Sequence, residues 1–148
     1  MFGYHTVYDP DTAPDAWTEM LVRSFYGDLW ESGHVAVADV VLHPKVRFRG
    51  SIGEERRGID GYWRYFDLIR GAFGEYQCEI LSLVSNGDQA AAKMRFSGWH
   101  RREFLGFEPS KRDIAWHGAA FFQVKKRKLR DIWVLGDTDG LRAQLAAE

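Results

Sequence analysis

The sequence predicts an α+β fold, in which helices from the start of the chain cover one face of a curved antiparallel sheet made by later strands. Apolar residues recur at helical spacing in much of the first half of the chain. The second half instead alternates apolar and polar residues between turn signals. The resulting order of elements is α-α-β-α-β-β-β-β-α, and such a separation of helices from a β-meander is typical of α+β domains.

The first helix is predicted to follow a turn-forming stretch, with Thr12 as its N-cap and Pro14 in its first turn. Apolar side chains then fall at every fourth residue and form a broad stripe, which consists of Trp17, Leu21, Phe25 and Leu29. Gly33 ends this helix, and a shorter second helix runs as far as Leu42.

A short strand and a third helix come next. His43-Pro44 breaks the second helix, and the alternation from Lys45 to Arg49 predicts a strand before a polar loop. The third helix presents an aromatic wall at helical spacing, made by Ile59, Tyr62, Trp63, Phe66, Ile69 and Phe73. Gly74 ends this helix.

Two hairpins complete the predicted sheet. Residues 76–84 form the first strand, Asn86-Gly87-Asp88 the turn, and Gln89 to Arg102 the returning strand. One face of the returning strand carries Met94, Phe96 and His100, and this face is expected to look inward.

The second hairpin, within Asp113 to Leu145, organises the rest of the fold. A two-residue turn at Lys126-Arg127 sets the register of its strands. The pairs are then Phe122, Ala120, Gly118 and Trp116 with Asp131, Trp133, Leu135 and Asp137. His117 and Val134 point outward in this register, although a bulge near Gly136 would turn Val134 inward. Asp137 arrives at the start of a short terminal helix.

Composition limits the classes of function. The 148 residues suit one domain, 1–148, that needs neither disulfides nor metals to stabilise its core. Aromatic residues make up 15% of the chain, including six Trp, which favours a wide apolar cavity or a buried subunit face. A net charge of −1 without charge blocks argues against a nucleic-acid partner. The sequence lacks a membrane-spanning run and a signal-peptide core, so we expect no membrane association and a cytoplasmic location.

Cysteine and histidine usage gives no sign of a metal site. The lone Cys78 excludes internal disulfides, and its strand-like surroundings indicate packing rather than nucleophilic chemistry. His5, His34 and His43 lack the spacing of metal ligands. No metal is therefore expected.

Several short sequence motifs follow one another in a characteristic order over roughly residues 18–145. They are Phe25-Tyr26 with Trp30 and Gly33, Gly58-Ile59-Asp60-Gly61, Gly87-Asp88, Gly98-Trp99-His100, Phe104-Leu105-Gly106, and Trp133 with Asp137 and Gln144-Leu145. Their order and spacing resemble those of the SnoaL-like polyketide cyclases, a family of the NTF2-like superfamily. The resemblance implies a cone-shaped α+β barrel with helices packed on the concave face of the sheet.

The resemblance also implies a chemistry. Family members perform aldol-type cyclisation or related reactions on small apolar, polyketide-like substrates, without a metal or organic cofactor. In the characterised cyclases an aspartate on the last strand does the acid/base work, assisted by a histidine on the preceding strand. The matching positions here are Val134 and Ala120, and an aliphatic pair cannot move protons.

Asp137 and His100 are therefore the candidate proton-transfer residues. A carboxylate at the rim of an apolar pocket can act as a general acid or base, although Asp137 equally suits the cap of the terminal helix. His100, on an inward strand face, can transfer a proton or orient a carbonyl. Its alternative role is that of a buried histidine bonded to a backbone carbonyl.

The predicted substrate pocket has a volume of about 300–1,000 Å³ and an apolar wall. Its lining residues are Phe25, Tyr26, Tyr62, Phe66, Met94, Trp116, Phe122 and Trp133. A homodimer through the outer sheet face, near Trp99, His117 and Phe121, is also expected. Two alternatives to a cyclase stay open at this point: an NTF2-like hydrolase or dehydratase, and a non-catalytic ligand-binding dimeric module.

Overall fold

The computed structural model describes residues 13–148, so the expectations for His5 and Thr12 lie outside the described residues. The helical segments are α1 (Asp15–Ser24), a π-helix (Phe25–Glu31), a 3₁₀ turn (Val35–Val37), α2 (Ala38–Val41), α3 (Gly58–Ala72) and α4 (Thr138–Ala146). The strands are β1 (Leu42–Arg49), β2 (Arg56–Arg57), β3 (Phe73–Asn86), β4 (Gln89–His100), β5 (Asp113–Lys125) and β6 (Lys128–Gly136). Among residues 13–148, no helix has the length and apolar character needed to cross a membrane.

The six strands form one curved, mixed sheet in the order β2-β1-β6-β5-β4-β3. Strands β3 to β6 make the predicted antiparallel meander, and β1 pairs antiparallel with β2. β1 lies beside β6 and runs parallel to it. The α+β fold is therefore confirmed, with one parallel pair in a sheet that the sequence predicts to be antiparallel throughout.

The β5–β6 hairpin closes through the predicted two-residue turn. Lys125 pairs with Lys128, and the backbone φ angles of Lys126 and Arg127 are +52° and +66°. Two consecutive positive φ angles define a type I′ turn, whose twist matches that of the flanking strands. Trp17 stabilises this turn, since its indole Nε1 donates a hydrogen bond of 3.0 Å to the Arg127 carbonyl.

The predicted register beyond this turn is wrong by one residue. Val124 pairs with Leu129, but Gln123 pairs with Asp131, so Arg130 is the extra residue of a β-bulge. The bulge therefore lies near the turn rather than near Gly136. It places the Asp131 carboxylate 2.6 Å from the guanidinium of Arg47 on β1.

Past the bulge, the inward residues of the two strands become partners. Phe122 pairs with Ile132 and Ala120 pairs with Val134, and all four side chains are buried. Val134 consequently points inward, contrary to the first of the two predicted registers. The physical reason is that the bulge keeps Asp131 out of the apolar layer while Ile132 and Val134 enter it.

The helical segments pack on the inner face of this sheet through aromatic rings. In the π-helix, Phe25, Tyr26, Leu29 and Trp30 are all buried. The i→i+5 repeat of a π-helix turns both pairs of adjacent residues toward the sheet. Its rings reach β4 and β5, because the Tyr26 centroid lies 6.1 Å from that of Phe96 and the Phe25 centroid 6.2 Å from that of Phe122.

Candidate functional site

A small internal cavity lies between the π-helix, α3, the loop after β1 and the inner face of the sheet. Its apolar wall comes from Phe25, Trp30, Phe48, Phe96 and Val134, and its polar groups from Tyr26, Ser51, Tyr65, Tyr76 and Cys78. Its volume is about 20 Å³. A single buried water needs roughly 10–15 Å³, so the cavity accommodates one oxygen-sized group.

The cavity is therefore much smaller than the pocket that the sequence predicts. Of the eight predicted lining residues, Phe25 and Tyr26 line it. The surrounding core contains Tyr62, Phe66, Met94, Trp116 and Phe122, all buried. Trp133 is 45% exposed on the outer face of the sheet, because its neighbours Ile132 and Val134 point inward. The aromatic rings interlock, and this packing fills the space that a wide pocket would need.

Tyrosine hydroxyls dominate the polar part of the cavity wall. The Tyr26 hydroxyl is buried and has no hydrogen-bond partner among residues 13–148. The Tyr65 hydroxyl accepts a hydrogen bond of 3.4 Å from the backbone N–H of Ile52, which leaves its own proton available. Ser51 Oγ accepts a bond of 3.3 Å from the indole N–H of Trp116.

These groups are neutral hydrogen-bonding groups at physiological pH. Burial raises the pKa of Tyr65 to about 12. Burial also raises the pKa of Tyr26, and the nearby Cys78 and Tyr65 raise it further. The pKa of the Cys78 thiol is raised by burial and then by the Glu31 carboxylate. Neutral phenols donate hydrogen bonds to an acceptor oxygen but cannot remove a proton from carbon, so the cavity can stabilise negative charge on a ligand oxygen.

The loop of residues 50–55 closes the cavity, and two glycines permit the close approach. A Cβ atom at Gly50 would overlap the Tyr65 ring, and one at Gly136 would lie 2.5 Å from Ser51 Oγ. The hydrogen bonds that join the loop to Tyr65 and Trp116 are long, at 3.4 and 3.3 Å, against an ordinary N–H···O distance of about 2.9–3.0 Å. Gly50 and Ser51 are thus closely packed against the cavity, while residues 53–55 of the loop are exposed.

Ala120 and Val134, the two positions that the resemblance matches to the acid/base pair, lie side by side on adjacent strands and point inward. Ala120 and Val134 are direct register partners, with exposed fractions of 0% and 3%. Val134 lines the cavity. If the expected matching holds, an isopropyl group in the cavity wall stands where the resemblance implies a carboxylate.

Asp137 lies at the surface and caps α4. Its carboxylate oxygen accepts a hydrogen bond of 2.9 Å from the backbone N–H of Gly140, and its own N–H donates one of 2.9 Å to the carbonyl of His117. Its side chain is exposed and does not line the cavity. The capping role that the sequence suggests is present in the geometry.

His100 is fully buried and ties the loop after β4 to the sheet. Its Nδ1 accepts a hydrogen bond of 2.9 Å from the backbone N–H of Ser110, and the Ser110 hydroxyl lies 3.0 Å away. The neutral ring therefore carries its proton on Nε2, which has no partner within the described part of the chain. The ring packs against Phe73, outside the cavity lining. The His100 ring is thus hydrogen-bonded to a backbone N–H, whereas the sequence suggests a bond to a backbone carbonyl.

Four polar residues line the cavity without being among those predicted from the sequence: Tyr65, Tyr76, Ser51 and Cys78. Tyr65 follows Tyr62 by three residues on α3, and Tyr76 and Cys78 share the inward face of β3 at a spacing of two. Those periodicities are visible in the sequence, but they mark a buried face and do not distinguish cavity-lining residues from the rest of the core.

Comparisons with known proteins agree with this architecture. The family model described as SnoaL-like polyketide cyclase matches residues 20–145. No curated protein sequence matches the chain significantly.

Solved structures give the same fold. A protein from Jannaschia sp. CCS1 assigned to the SnoaL-like polyketide cyclases shares 16% identity and a TM-score of 0.83, over 93% of this chain and 98% of its own. TsrD from Streptomyces laurentii shares 26% identity and a TM-score of 0.78, over 90% and 97%. A SnoaL-like polyketide cyclase from Agrobacterium tumefaciens shares 18% identity and a TM-score of 0.72, over 87% and 98%.

Proposed function

Because the chain belongs to the SnoaL-like polyketide cyclase family, we propose that it catalyses a cofactor-independent aldol-type cyclisation or isomerisation of a small apolar carbonyl compound. The observation that supports this proposal is the aromatic cavity, in which neutral phenols are the most numerous polar groups. A preorganised phenol donates to a carbonyl oxygen and stabilises the charge that develops there when the adjacent carbon loses a proton.

The proposed cyclisation needs one proton removed and one returned. A proton leaves the carbon beside a carbonyl, and the electron pair of that C–H bond forms an enolate. The enolate carbon attacks a second carbonyl carbon of the same molecule, a C–C bond forms, and the new alkoxide oxygen takes a proton. The phenols bind the first oxygen. Asp137 and His100 stay the predicted proton carriers, although neither lines the cavity.

Substrate entry requires the loop of residues 50–55 to move. The cavity of about 20 Å³ accepts one oxygen atom of a substrate, while the carbon skeleton needs further space. The loop supplies Gly50 and Ser51 to the cavity wall, so its displacement opens the cavity on that side.

A non-catalytic ligand-binding module is the second candidate. The part of the cavity wall supplied by residues 13–148 contains no carboxylate and no imidazole, which favours binding without proton transfer. A hydrolase or dehydratase is less well supported, because the phenols, thiol and serine hydroxyl of this wall give no general base that would activate water.

The experiment that separates enzyme from binding module follows hydrogen exchange at carbon. Ethyl benzoylacetate, an aromatic β-keto ester, is incubated with the protein in D₂O, and loss of its α-hydrogen signal is measured by NMR. We expect exchange at least about a hundredfold above the buffer rate, the lower end of what general acid–base catalysis supplies. Binding of the probe with exchange at the buffer rate would leave the binding module as the function.

The same assay on Asp137 variants decides whether this carboxylate carries the proton. If Asp137 transfers it, Asp137→Asn lowers exchange by about 10²–10⁴-fold. If Asp137 serves only as a cap, Asp137→Asn changes neither exchange nor stability. Asp137→Ala then costs about 1 kcal/mol of stability, because alanine cannot accept the Gly140 N–H.

We also propose that two copies of the chain associate through the outer face of the sheet. An apolar row crosses four strands there, since Val84 pairs with Ala91, Ala91 with Phe121, and Phe121 with Trp133. Phe121 and Trp133 are 49% and 45% exposed, with ring centroids 5.8 Å apart. An obligate interface on such a face typically buries upwards of about 2,000 Å².

Light scattering at micromolar concentration is expected to show a dimer. Trp133→Glu places a charge in the apolar row and should give a monomer. The matched control is Val40→Glu, which introduces the same charge at a residue that is 58% exposed on α2, away from the sheet face, and should leave the dimer intact. A monomeric parent protein would contradict this proposal.

A further inference from the structure

The buried hydroxyl of Tyr26 has no hydrogen-bond partner among residues 13–148, and the residue lines a cavity in which a ligand atom fits. The residue is 2% exposed. A buried donor without a partner is unfavourable, and native structures usually satisfy such a group with a ligand or an ordered water. Tyr26 lines the cavity, and so do Cys78 and Tyr65, the two groups that raise the pKa of its hydroxyl, so the unused donor lies near other polar groups of the cavity wall.

The chemistry around Tyr26 selects an anionic oxygen as the occupant. Tyr65 supplies a second phenol whose oxygen already accepts the Ile52 N–H, so its proton is the part available to a ligand. Burial raises the pKa of both hydroxyls, which keeps them protonated. No carboxylate from residues 13–148 lines the wall, and the Glu31 carboxylate, which accepts a hydrogen bond of 2.7 Å from the backbone N–H of Cys78, belongs to an exposed residue. The aromatic faces of Phe25 and Phe96 suit a planar molecule.

We propose that this cavity binds the negatively charged oxygen of an enolate or phenolate, with Tyr26 as the principal hydrogen-bond donor and Tyr65 as the second. The inference rests on the proposed function and deepens it, because the enolate is the species that aldol chemistry must stabilise. A delocalised oxyanion fits better than a compact anion, since its charge costs less to remove from water. The planar remainder of the ligand lies toward the loop of residues 50–55.

The test compares two probes of nearly equal shape that differ in one substituent of the ring. 4-Nitrophenolate, at a pH where it is ionised, carries the oxyanion, and 4-nitrotoluene carries a methyl group in its place. The parent protein is expected to bind the phenolate more tightly, by roughly ten- to hundredfold, as a hydrogen bond to a charged group would give. Titration calorimetry measures the phenolate directly and the neutral probe by competition.

Tyr26→Phe and Tyr62→Phe form a matched pair of variants. Both remove one buried hydroxyl that has no partner among the described residues, but only Tyr26 lines the cavity. Tyr26→Phe should abolish the preference for 4-nitrophenolate, while Tyr62→Phe should retain it. The melting temperature of each variant should equal or exceed that of the parent protein, because each variant loses an unsatisfied polar group.

Three results would overturn the inference: no binding of 4-nitrophenolate to the parent protein, equal affinity for the two probes, or equal losses in the two tyrosine variants. The outcome is independent of catalysis. Selective phenolate binding without hydrogen exchange of ethyl benzoylacetate would support the oxyanion site and contradict the proposed enzymatic function. Hydrogen exchange by a parent protein that shows no phenolate preference would do the reverse, supporting the enzyme and contradicting the oxyanion site.

Discussion

Replacing Trp30 by alanine is expected to lower the free energy of unfolding by about 3–5 kcal/mol, the usual cost of truncating a buried aromatic side chain. Trp30 is 3% exposed and lies at the centre of the aromatic core. Its ring centroid is 4.9 Å from that of Phe66, 5.5 Å from that of Tyr76 and 6.0 Å from that of Tyr62. The π-helix therefore loses contacts with two elements at once, since Tyr62 and Phe66 lie on α3 and Tyr76 lies on β3.

Urea denaturation measures this loss, and the melting temperature should fall by about 6–20 °C for a chain of this size. Leu68→Ala is the control, because Leu68 lies on α3 but is 44% exposed. Its effect should stay within about 0.5 kcal/mol. A loss below 1 kcal/mol for Trp30→Ala would show that the core closes readily around the missing ring.

Val134→Asp is expected to destabilise the protein by several kcal/mol at neutral pH, because it places a carboxylate in a buried and largely apolar wall. Val134 is 3% exposed and lines the cavity opposite Ala120. The adjacent Leu135 is 54% exposed on the other face of the sheet, so Leu135→Asp introduces the same group into water. The control Leu135→Asp should leave the free energy of unfolding nearly unchanged.

The cost of Val134→Asp should depend on pH in a defined direction. Burial raises the pKa of the introduced carboxyl in the folded state above its unfolded value of about 3.9. Both states are protonated below that pH, and the variant is then most stable. As the pH rises, the unfolded state ionises first and folding loses about 1.4 kcal/mol per pH unit until the folded pKa is reached. Chemical denaturation from pH 3 to pH 7 would detect the slope, and a flat profile would mean that the carboxylate reaches solvent.

The sequence predicts most of the fold because periodicity and turn chemistry act locally. Alternation in residues 89–100 and 113–125 identifies two strands, and the Lys126-Arg127 turn is correctly placed. The β1–β6 pairing does not follow from such signals, since neither segment specifies its neighbour. The bulge at Arg130, by contrast, could have been predicted from the sequence. Without it Asp131 would pair with the buried Phe122, where a carboxylate is costly.

The site was less predictable because it depends on how the aromatic rings fill the interior. Tyr62 and Tyr65 lie on the same helix and both are buried, yet only Tyr65 lines the cavity. Helical periodicity separates buried from exposed faces and cannot distinguish two residues of one buried face. The exposure of Trp133 has the same origin, since the one-residue bulge at Arg130 determines which of the β6 side chains enter the core.

The parallel pairing of β1 with β6 has a consequence for synthesis of the chain on the ribosome. Arg47 and Asp131, which pair across these strands, are separated by 84 residues. β1 therefore cannot pair with β6 until nearly the whole chain has been synthesised. The aromatic faces of the π-helix and α3 also emerge before β5 and β6. At roughly 5–20 residues per second, the interval between Ala72 and Ile132 lasts about 3–12 s. We expect the nascent chain to expose an apolar aromatic surface during that interval, which makes it more prone to aggregation than a chain whose neighbouring strands are made consecutively.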